Sequence, residues 1–290
     1  MMETDYYQLA NGVKIPVVGF GTWQSANGKE AYNAVKWALE SGYRHLDTAA
    51  VYGNEESVGK AIKDSGIKRE DIFLTTKLWN SQRGSYDNVL RAFEDSLTRL
   101  DQDYVDLYLI HWPVPTEFED RWEQVNAETW RAMEEIYQSG RAKAIGVSNF
   151  RAKHLSELQK TWQIAPMVNQ IFLNPGDPET ELVKLNQKLG ILTEAYSPLG
   201  TGNLLNNPVV QEVAQAHHKS GAQVLIRWCL ENNYLPLPKS IHEEYIQDNA
   251  KVFDFSLTES DHQKLASLAG TTPQHHDPDH LDLLKEIHFL

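Results

Sequence analysis

The sequence is poor in cysteine and in positive charge. Its 290 residues include one cysteine, Cys229, so an intrachain disulfide and a multi-cysteine metal site are both excluded. The 27 lysines and arginines are outnumbered by 40 acidic residues, and the net charge of −13 argues against nucleic acid or an anionic membrane as a partner. No apolar run approaches the roughly 18 residues of a membrane span, and the amino terminus does not resemble a signal peptide. We expect a protein of the reducing cytoplasm.

Another absence concerns glycine, because no Gly-x-Gly-x-x-Gly follows a predicted strand, which weakens the case for an open dinucleotide-binding sheet. Instead, apolar strand-like segments alternate with helical ones. The predicted strands lie near 17–20, 44–47, 72–76, 105–110, 143–147, 167–171, 191–196 and 234–237, and the predicted helices near 28–41, 54–65, 85–99, 127–139, 152–160, 179–188 and 207–231. Without a linker or a shift in composition, this alternation predicts one α/β domain over residues 1–290, a (β/α)8 TIM barrel.

Three segments fall outside this repeat. Residues 7–9 and 13–15 flank Asn11-Gly12, which predicts an amino-terminal β-hairpin with a two-residue turn. Residues 114–126 are too many for a minimal strand-to-helix loop. The tail after Gly270 is rich in histidines that could bind metal, but its leucines favour packing, and we expect it to lie over the barrel mouth. These tail residues are His275, His276, His280 and His288, with Leu281, Leu283 and Leu284.

Four polar side chains are predicted to meet at the carboxyl end of the barrel. Asp47 ends a short strand, and Tyr52 follows in the loop before Asn54, the predicted N-cap of the next helix. Lys77 ends the strand near 72–76, and His111 follows the strand near 105–110. A structural role, such as a loop cap or a core histidine, explains each residue taken singly. The convergence of all four at one rim indicates an active site.

The chemistry of these four groups points to protonation of an oxygen. A tyrosine phenol has an ordinary pKa of about 10 and is a sluggish acid at neutral pH. We expect the Lys77 ammonium to lower the pKa of Tyr52, while Asp47 keeps Lys77 charged. His111 can then orient a carbonyl oxygen by a hydrogen bond. No side chain delivers hydride, so the reduction of a carbonyl requires a cofactor.

The segment 42–55, which contains Gly42, Arg44, Asp47, Ala49, Asn54 and Glu55, resembles the signature of the aldo-keto reductase family. Similar segments cover nearly the whole chain in the family's order: Gly21-Thr22-Trp23, Lys77-Leu78-Trp79, His111-Trp112-Pro113, Gly146-Val147-Ser148-Asn149-Phe150, Asn169-Gln170 and Tyr196-Ser197-Pro198-Leu199-Gly200. The resemblance implies Tyr52 as the general acid, Asp47 and Lys77 as its tuning pair, and His111 as the residue that orients the substrate.

The resemblance also implies a nicotinamide cofactor. Ser148, Asn149 and Gln170 would bind its carboxamide, and Tyr196 would stack on its ring. The segments Gly21-Thr22-Trp23 and Ser197-Pro198-Leu199-Gly200 would line the same cofactor. A helix N-cap is an alternative role for Ser148 and Asn149, and the two roles are compatible.

Lys239 and Ser240, ahead of a predicted short helix, suit a phosphate because charge, hydroxyl and free backbone N–H groups coincide there. In the family this seat takes the adenosine 2′-phosphate, which makes the cofactor NADPH. Relatives that prefer NADPH usually carry an arginine six residues after the lysine, where this chain has Tyr245. We therefore expect a weakened NADPH preference, with NADH as a second cofactor. By resemblance alone, Asp248 and Asn249 serve the adenosine.

Trp23, Trp79 and Trp112 each lie beside a rim residue and are expected to wall a pocket for a small carbonyl substrate. The short loops after Gly200 and the compact tail resemble those of prokaryotic-type reductases that act on 2,5-diketogluconate, methylglyoxal and other small dicarbonyls. We expect the chain to act as a monomer.

Two other functions fit parts of the sequence. His45 and Asp47 point the same way on one strand and, together with His111 and Glu194, could hold a divalent metal in a barrel hydrolase. Against this, Lys77 places a cation in the metal's position. The second is a barrel that binds NADPH without turnover, as a sensor or a subunit, and the four intact catalytic positions argue against it.

Overall fold

The computed structural model describes residues 5–272 and 277–279. In this part of the chain, strands and helices alternate as the sequence predicts. Their bounds are β1 (Tyr6–Gln8), β2 (Lys14–Pro16), β3 (Phe20–Gly21), α1 (Lys29–Glu40), β4 (His45–Asp47), α2 (Glu55–Asp64), β5 (Phe73–Leu78), α3 (Tyr86–Leu100), β6 (Leu107–Ile110), α4 (Trp122–Gln138), β7 (Ile145–Ser148), α5 (Ala152–Gln159), β8 (Val168–Phe172), α6 (Thr180–Lys188), β9 (Leu192–Tyr196), α7 (Pro208–Ala216), α8 (Gly221–Glu231), β10 (Leu235–Leu237), α9 (Glu243–Asn249) and α10 (Glu259–Ala266).

Strands β3 to β10 form one parallel sheet in which neighbours in sequence are neighbours in space. Two backbone hydrogen bonds join its edges, from Gly19 N to Pro236 O and from Gly21 N to Pro238 O, both 3.0 Å long. The eight strands therefore close into the predicted (β/α)8 barrel, and every strand delivers its carboxyl end to one rim.

The β1–β2 hairpin covers the opposite end of the barrel. Its Leu9 and Ile15 pack in one cluster with Phe73, Leu107 and Leu235, which begin or nearly begin their strands. The predicted hairpin is confirmed, but its two-residue turn is wrong. Leu9 N donates to Val13 O and Gly12 N to Leu9 O, with Gly12 at φ +86°, so the loop has three residues and ends in a left-handed glycine.

The barrel interior changes from apolar to polar along its axis. On β5, alternate residues face inward, and they run from Phe73 at the hairpin end through Thr75 to Lys77 at the rim. The outward-facing Leu74 and Leu78 pack in the cluster between sheet and helices. Charged groups are thus concentrated at the carboxyl ends of the strands, above an apolar base.

Several predicted boundaries are wrong. Helix α4 begins at Trp122, inside the segment 114–126 that was predicted to be a loop. The helix predicted over 207–231 is two helices, because His218 has φ +54° and Ser220 starts a new N-cap by accepting from Gln223 N. Helix α10 was not predicted. None of the helices that the structure describes has the length and apolar character needed to cross a membrane.

The predicted tail over the barrel mouth lies mostly outside the described residues, which include none of His275, His276, His280, His288, Leu281, Leu283 or Leu284. The described residue Asp279 lies against the first turn of α5, where its carboxylate contacts His154 Nε2 at 2.8 Å and Lys153 Nζ at 2.7 Å. That turn follows the carboxyl end of β7 and so lies on the rim side of the barrel.

Candidate active site

A buried ammonium lies at the centre of the carboxyl rim. Lys77 Nζ donates three hydrogen bonds, to Asp47 Oδ1 at 2.5 Å, to Thr48 O at 3.0 Å and to Tyr52 Oη at 3.2 Å. Asp47 at the end of β4 pairs with Thr75 of β5, and Lys77 lies two residues further along β5 on the same face, so strand pairing brings the cation and the carboxylate together. The predicted convergence of Asp47, Tyr52 and Lys77 is present.

Tyr52 is carried by a single helical turn, Ala50–Tyr52, that follows β4 and ends at Gly53 with φ +67°. Asn54 takes the predicted N-cap position of α2, but its side chain makes no capping hydrogen bond. Instead its amide donates to Thr22 O and Ser25 O and accepts from Thr48 Oγ1. Asn54 therefore ties the loop after β3 to the loop that carries Tyr52.

His111 completes the predicted group of four. Its ring meets the Tyr52 ring edge-on, with centroids 5.6 Å apart, and the Trp79 ring in the same way at 5.3 Å. Asn149 Nδ2 holds the backbone by donating to His111 O at 3.0 Å. Burial, with a smaller effect of Lys77, holds the pKa of His111 well below its usual value, so the ring is neutral at physiological pH.

Electrostatics at the tyrosine differ from the prediction. Burial raises the pKa of Tyr52, Lys77 lowers it and Asp47 raises it, and the net pKa lies above its ordinary value. Lys77 acts in the predicted direction, but desolvation outweighs it. Burial alone would lower the pKa of Lys77, yet Asp47 and Tyr52 hold it above its usual value. The site therefore pairs a protonated phenol with a permanently charged ammonium.

A polar layer lies directly beneath this group. Gln170 Nε2 donates to Asp47 Oδ2 and to Glu194 Oε2, each at 2.8 Å. Both amide protons of Gln170 are thus committed to carboxyl groups, which leaves its carbonyl oxygen for the predicted cofactor contact. His45 is hydrogen-bonded to Thr75 Oγ1 at 3.0 Å. The sequence singled out Glu194 only as a metal ligand and missed its contact with Gln170.

Ser148, Asn149 and Tyr196 form a connected chain at the rim. Tyr196 Oη donates to Asn149 Oδ1 at 2.7 Å, and Asn149 Nδ2 donates to Ser148 Oγ at 3.2 Å. Asn149 has φ +62°, a strained value for a side chain other than glycine. The N-cap of α5 is Arg151 rather than Ser148 or Asn149, so the helix-cap alternative is wrong.

Lys239, in the predicted phosphate seat, is half-buried and donates to a backbone oxygen, Gln24 O, at 3.2 Å. Burial lowers the pKa of Lys239, and no ion pair involves it among the described residues. Ser240 lies two residues before the N-cap of α9, His242, to whose N–H its hydroxyl is bonded at 3.1 Å. The charge of Glu30 partly opposes the effect of burial, but no carboxylate contacts Lys239 among the described residues, and such a desolvated cation fits an anionic group.

The remaining residues of the predicted adenosine end are spread along α9. Tyr245 is 56% exposed and its ring meets that of His242. Asn249 is buried, while Asp248 pairs with Lys251 at 2.8 Å. Glu243 and Glu244 occupy the first turn of this helix, so the helix end is itself acidic. The group at this position that suits an anion is therefore Lys239 rather than the helix end.

The predicted aromatic wall exists in part. Trp79 and Trp112 are buried in one cluster with Val114, and Val51 and Trp122 pack against it. Trp23 is 45% exposed and is not a member of this cluster. The sequence missed Trp122, the aromatic residue that α4 brings to the wall. It also missed Arg83, a buried side chain that donates to Trp112 O at 2.8 Å and holds the wall in place.

The alternative metal site is not supported. Across residues 5–272 and 277–279, no group of three or more His, Cys, Asp or Glu side chains is arranged to hold a metal ion. His45 Nε2 and Glu194 Oε1 are 3.9 Å apart, but Lys77 occupies the position beside Asp47 that a cation would take.

Comparisons with known proteins agree with this geometry. The profile of the Aldo/keto reductase family matches residues 17–269. The glyoxal reductase of Bacillus subtilis (strain 168) is 46% identical over 277 residues, which cover 96% of this chain and 97% of that protein. The crystal structure of an aldo/keto reductase from Brucella melitensis is 48% identical, covers 91% of this chain and 99% of its own, and has a TM-score of 0.86.

A further solved relative is the aldo-keto reductase of Bombyx mori, whose structure is a complex with NADP. It is 35% identical, covers 99% of this chain and 98% of its own, and superposes with a TM-score of 0.87. The likeness therefore extends over the whole barrel.

We predict that Lys77→Met destabilises the fold, because Asp47 is then buried without its counter-ion. Removing one partner of a buried ion pair costs about 3–5 kcal/mol, measurable by urea unfolding at pH 7. The double variant Lys77→Met with Asp47→Asn should recover much of this loss. A single variant as stable as the wild type would contradict the buried ion pair.

Proposed function

The chain belongs to the aldo-keto reductase family, and we propose that it reduces a small aldehyde or ketone of the dicarbonyl type to the alcohol, with NADPH as the hydride donor. The observation that carries this proposal is the contact of one buried ammonium, Lys77, with both Asp47 and the Tyr52 hydroxyl. This arrangement supports a phenol that must give up a proton at neutral pH.

NADPH, held by Lys239 at its phosphate end and by Ser148, Asn149, Gln170 and Tyr196 at its nicotinamide end, would supply the hydride that the carbonyl carbon accepts. Tyr52 Oη gives its proton to the carbonyl oxygen, and the C=O bond becomes C–OH. The raised pKa of Tyr52 keeps the phenol protonated before the reaction. As the phenolate forms, its charge lies 3.2 Å from Lys77 Nζ in a buried site, where that attraction is stronger than in water. Lys77 thus acts on the transition state rather than on the resting acid.

His111 has a separate role. Its neutral ring stands edge-on to Tyr52, so it can donate one N–H to the carbonyl oxygen without adding a charge. A single hydrogen bond of this kind fixes the carbonyl beside the Tyr52 hydroxyl. Because His111 is a poor proton donor when neutral, Tyr52 remains the acid.

Three features of the chain fit NADPH. Lys239 offers a desolvated cation that forms no ion pair among the described residues, although the charge of Glu30 partly opposes the effect of burial on its pKa. Gly21 lies beside it, since a Cβ there would be 3.4 Å from Leu237 O and 3.7 Å from Lys239 Cβ, so the loop after β3 meets the segment after β10 at this point. Ser148, Asn149, Gln170 and Tyr196 would hold the nicotinamide end. The aldo-keto reductase of Bombyx mori, similar over the whole chain, was solved with NADP.

The dicarbonyl class rests on two observations. The relative from Bacillus subtilis that is 46% identical is named a glyoxal reductase. The cluster of Trp79, Trp112 and Val114 also lies beside His111, and an aromatic wall there suits a small carbonyl substrate. A sensor or subunit that binds NADPH without turnover is the alternative, and the assays below separate the two.

Three further proposals rest on composition and sequence pattern. We propose that residues 1–290 form a single domain, that the chain acts as a monomer without a nucleic-acid partner, and that it works in the cytoplasm. The single cysteine and the net charge of −13 support the last two points.

We predict that Tyr52→Phe abolishes carbonyl reduction, because the general acid is lost. Such a group contributes about 10²- to 10⁴-fold, so kcat with glyoxal and NADPH should fall by that factor. NADPH affinity, measured by fluorescence titration, should stay within about threefold of the wild type. Tyr32→Phe, on the outer helix α1, serves as the matched control and should retain activity. Retained activity in Tyr52→Phe would overturn the assignment.

We predict only a moderate NADPH preference, because Lys239 is unaided by a second cation. Tyr245→Arg should raise the NADPH-to-NADH ratio of kcat/KM by about tenfold or more, the value of a charge-assisted hydrogen bond to phosphate. Tyr6→Arg, the same change at an exposed tyrosine on β1, should leave that ratio unaltered. A wild-type ratio in the thousands would show that no phosphate contact is missing.

We predict that glyoxal and methylglyoxal are better substrates than simple ketones of similar size. A neighbouring carbonyl withdraws electrons from the reacting carbon and lowers the barrier to hydride addition. We expect kcat/KM to differ by about tenfold or more in a panel with NADPH, an effect of at least 1.4 kcal/mol on the barrier. Preference for a bulky ketone would argue against the small pocket.

A further inference from the structure

Glu194 is a carboxyl group buried inside the barrel, and the proton-transfer steps above do not use it. It lies on β9 with 0% of its surface exposed. Its Oε2 accepts from Gln170 Nε2 at 2.8 Å, and the same nitrogen donates to Asp47 Oδ2 at 2.8 Å. One amide nitrogen thus bridges two carboxyl groups, so Glu194 is linked through Gln170 to the counter-ion of Lys77.

The other oxygen of Glu194 makes no hydrogen bond among the described residues. Oε1 is buried and lies 3.9 Å from His45 Nε2, which is bonded to Thr75 Oγ1. His45 cannot neutralise a carboxylate here, because burial, with a smaller effect of Lys77, lowers the pKa of His45 to about 3. A charged Glu194 would therefore lack a cation in contact with it.

The groups that face Glu194 are few. Strand β4 contributes His45 and Asp47, β5 contributes Lys77, and β8 contributes the neutral Gln170. Strand β10, the neighbour on the other side, contributes the apolar Leu235 and Leu237. Among the described residues, one positive charge, that of Lys77, faces this layer, and Asp47 already pairs with it at 2.5 Å.

We propose that Glu194 is a positioning residue of the reduction that works as a neutral carboxylic acid, holding Gln170 against Asp47 and leaving Asp47 as the sole counter-charge of Lys77. The inference rests on the proposed function of Tyr52 and Lys77. In agreement with it, burial and the charge of Asp47 raise the pKa of Glu194 to about 8, although Gln170 and Lys77 act in the opposite direction.

Loss of the Glu194 proton would weaken the acid. A second buried negative charge beside Asp47 would offset the positive electrostatic potential of Lys77 at the Tyr52 oxygen. The Tyr52 phenolate would then be less stable as it forms. Carbonyl reduction should therefore fall as pH rises through about 8, the pKa of Glu194. Tyr52 itself titrates above this range, since its pKa is raised above its ordinary value of 10.0.

Folding stability supplies a second consequence that does not involve activity. The pKa of Glu194 is raised from its ordinary 4.5 to about 8 by folding. The unfolded chain therefore releases this proton at lower pH than the folded chain, and stability falls as pH rises between these two values. A residue at position 194 that cannot ionise should remove this contribution to the fall of folding stability with pH.

The test compares wild type with Glu194→Gln, which keeps the shape and cannot ionise. With NADPH and glyoxal, kcat/KM of the wild type should fall about tenfold from pH 7 to pH 9, because a second buried charge weakens the acid. The pH 7 to pH 9 ratio of Glu194→Gln should stay within about twofold. The urea midpoint of Glu194→Gln, relative to that of the wild type, should increase as pH rises from 5 to 8.

Two further variants complete the design. Glu134→Gln changes another buried glutamate, which lies on the outer helix α4 and accepts hydrogen bonds from the backbone N–H groups of Gln163 and Ile164. This variant should keep the wild-type pH profile. Glu194→Met is also neutral but cannot accept from Gln170. It should lose the alkaline fall and also lower kcat at pH 7, and it keeps the test open if Glu194→Gln does not fold.

Identical pH ratios and parallel urea midpoints in wild type and Glu194→Gln would overturn the inference. That outcome is distinguishable from failure of the proposed function, which Tyr52→Phe tests separately and which the stability measurement does not require. A kcat for Glu194→Met equal to the wild type would overturn the positioning role.

Discussion

The buried ion pair between Lys77 and Asp47 is the interaction on which the rest of the site depends. Taking both charges out of water is costly, and only close geometry with full hydrogen bonding offsets that cost. The structure meets this condition, since Lys77 Nζ uses all three donors on Asp47, Thr48 and Tyr52. The third donor is the link to chemistry, because the bond that satisfies the ammonium also places it against the phenol.

The barrel makes this geometry possible by arranging its interior in layers. The hairpin and the first inward-facing residues form an apolar base, above which His45, Thr75 and Glu194 form a polar layer. Asp47 and Lys77 lie above these, and Gln170 joins Asp47 to Glu194. A charged side chain nearer the hairpin end of the barrel would lack hydrogen-bond partners. For a charged side chain nearer the open rim, solvent would weaken the interaction with its counter-ion. The proposed proton transfer lies at the level where both demands are met.

Much of the fold followed from sequence patterns, since strand and helix periodicity predicted the barrel and the period of two placed Lys77 in phase with Thr75. Local sequence patterns did not predict the features that depend on contacts between residues distant in the chain. Asn54 has the residue type of an N-cap, but Thr22, Ser25 and Thr48 compete successfully for its amide. The break between α7 and α8 depends on backbone at His218 that apolar spacing does not reveal.

The sequence by itself determined which chemistry was available: the residue types of Asp47, Tyr52, Lys77 and His111, their places at strand ends, and the family to which the chain belongs. Only the tertiary structure decided how those groups behave. Burial reverses the expected net shift of the Tyr52 pKa. The pairing of the strands places Glu194 and Gln170 beneath Asp47. Desolvation and hydrogen bonding between strands depend on which surfaces meet, and residues far apart in the chain settle that together.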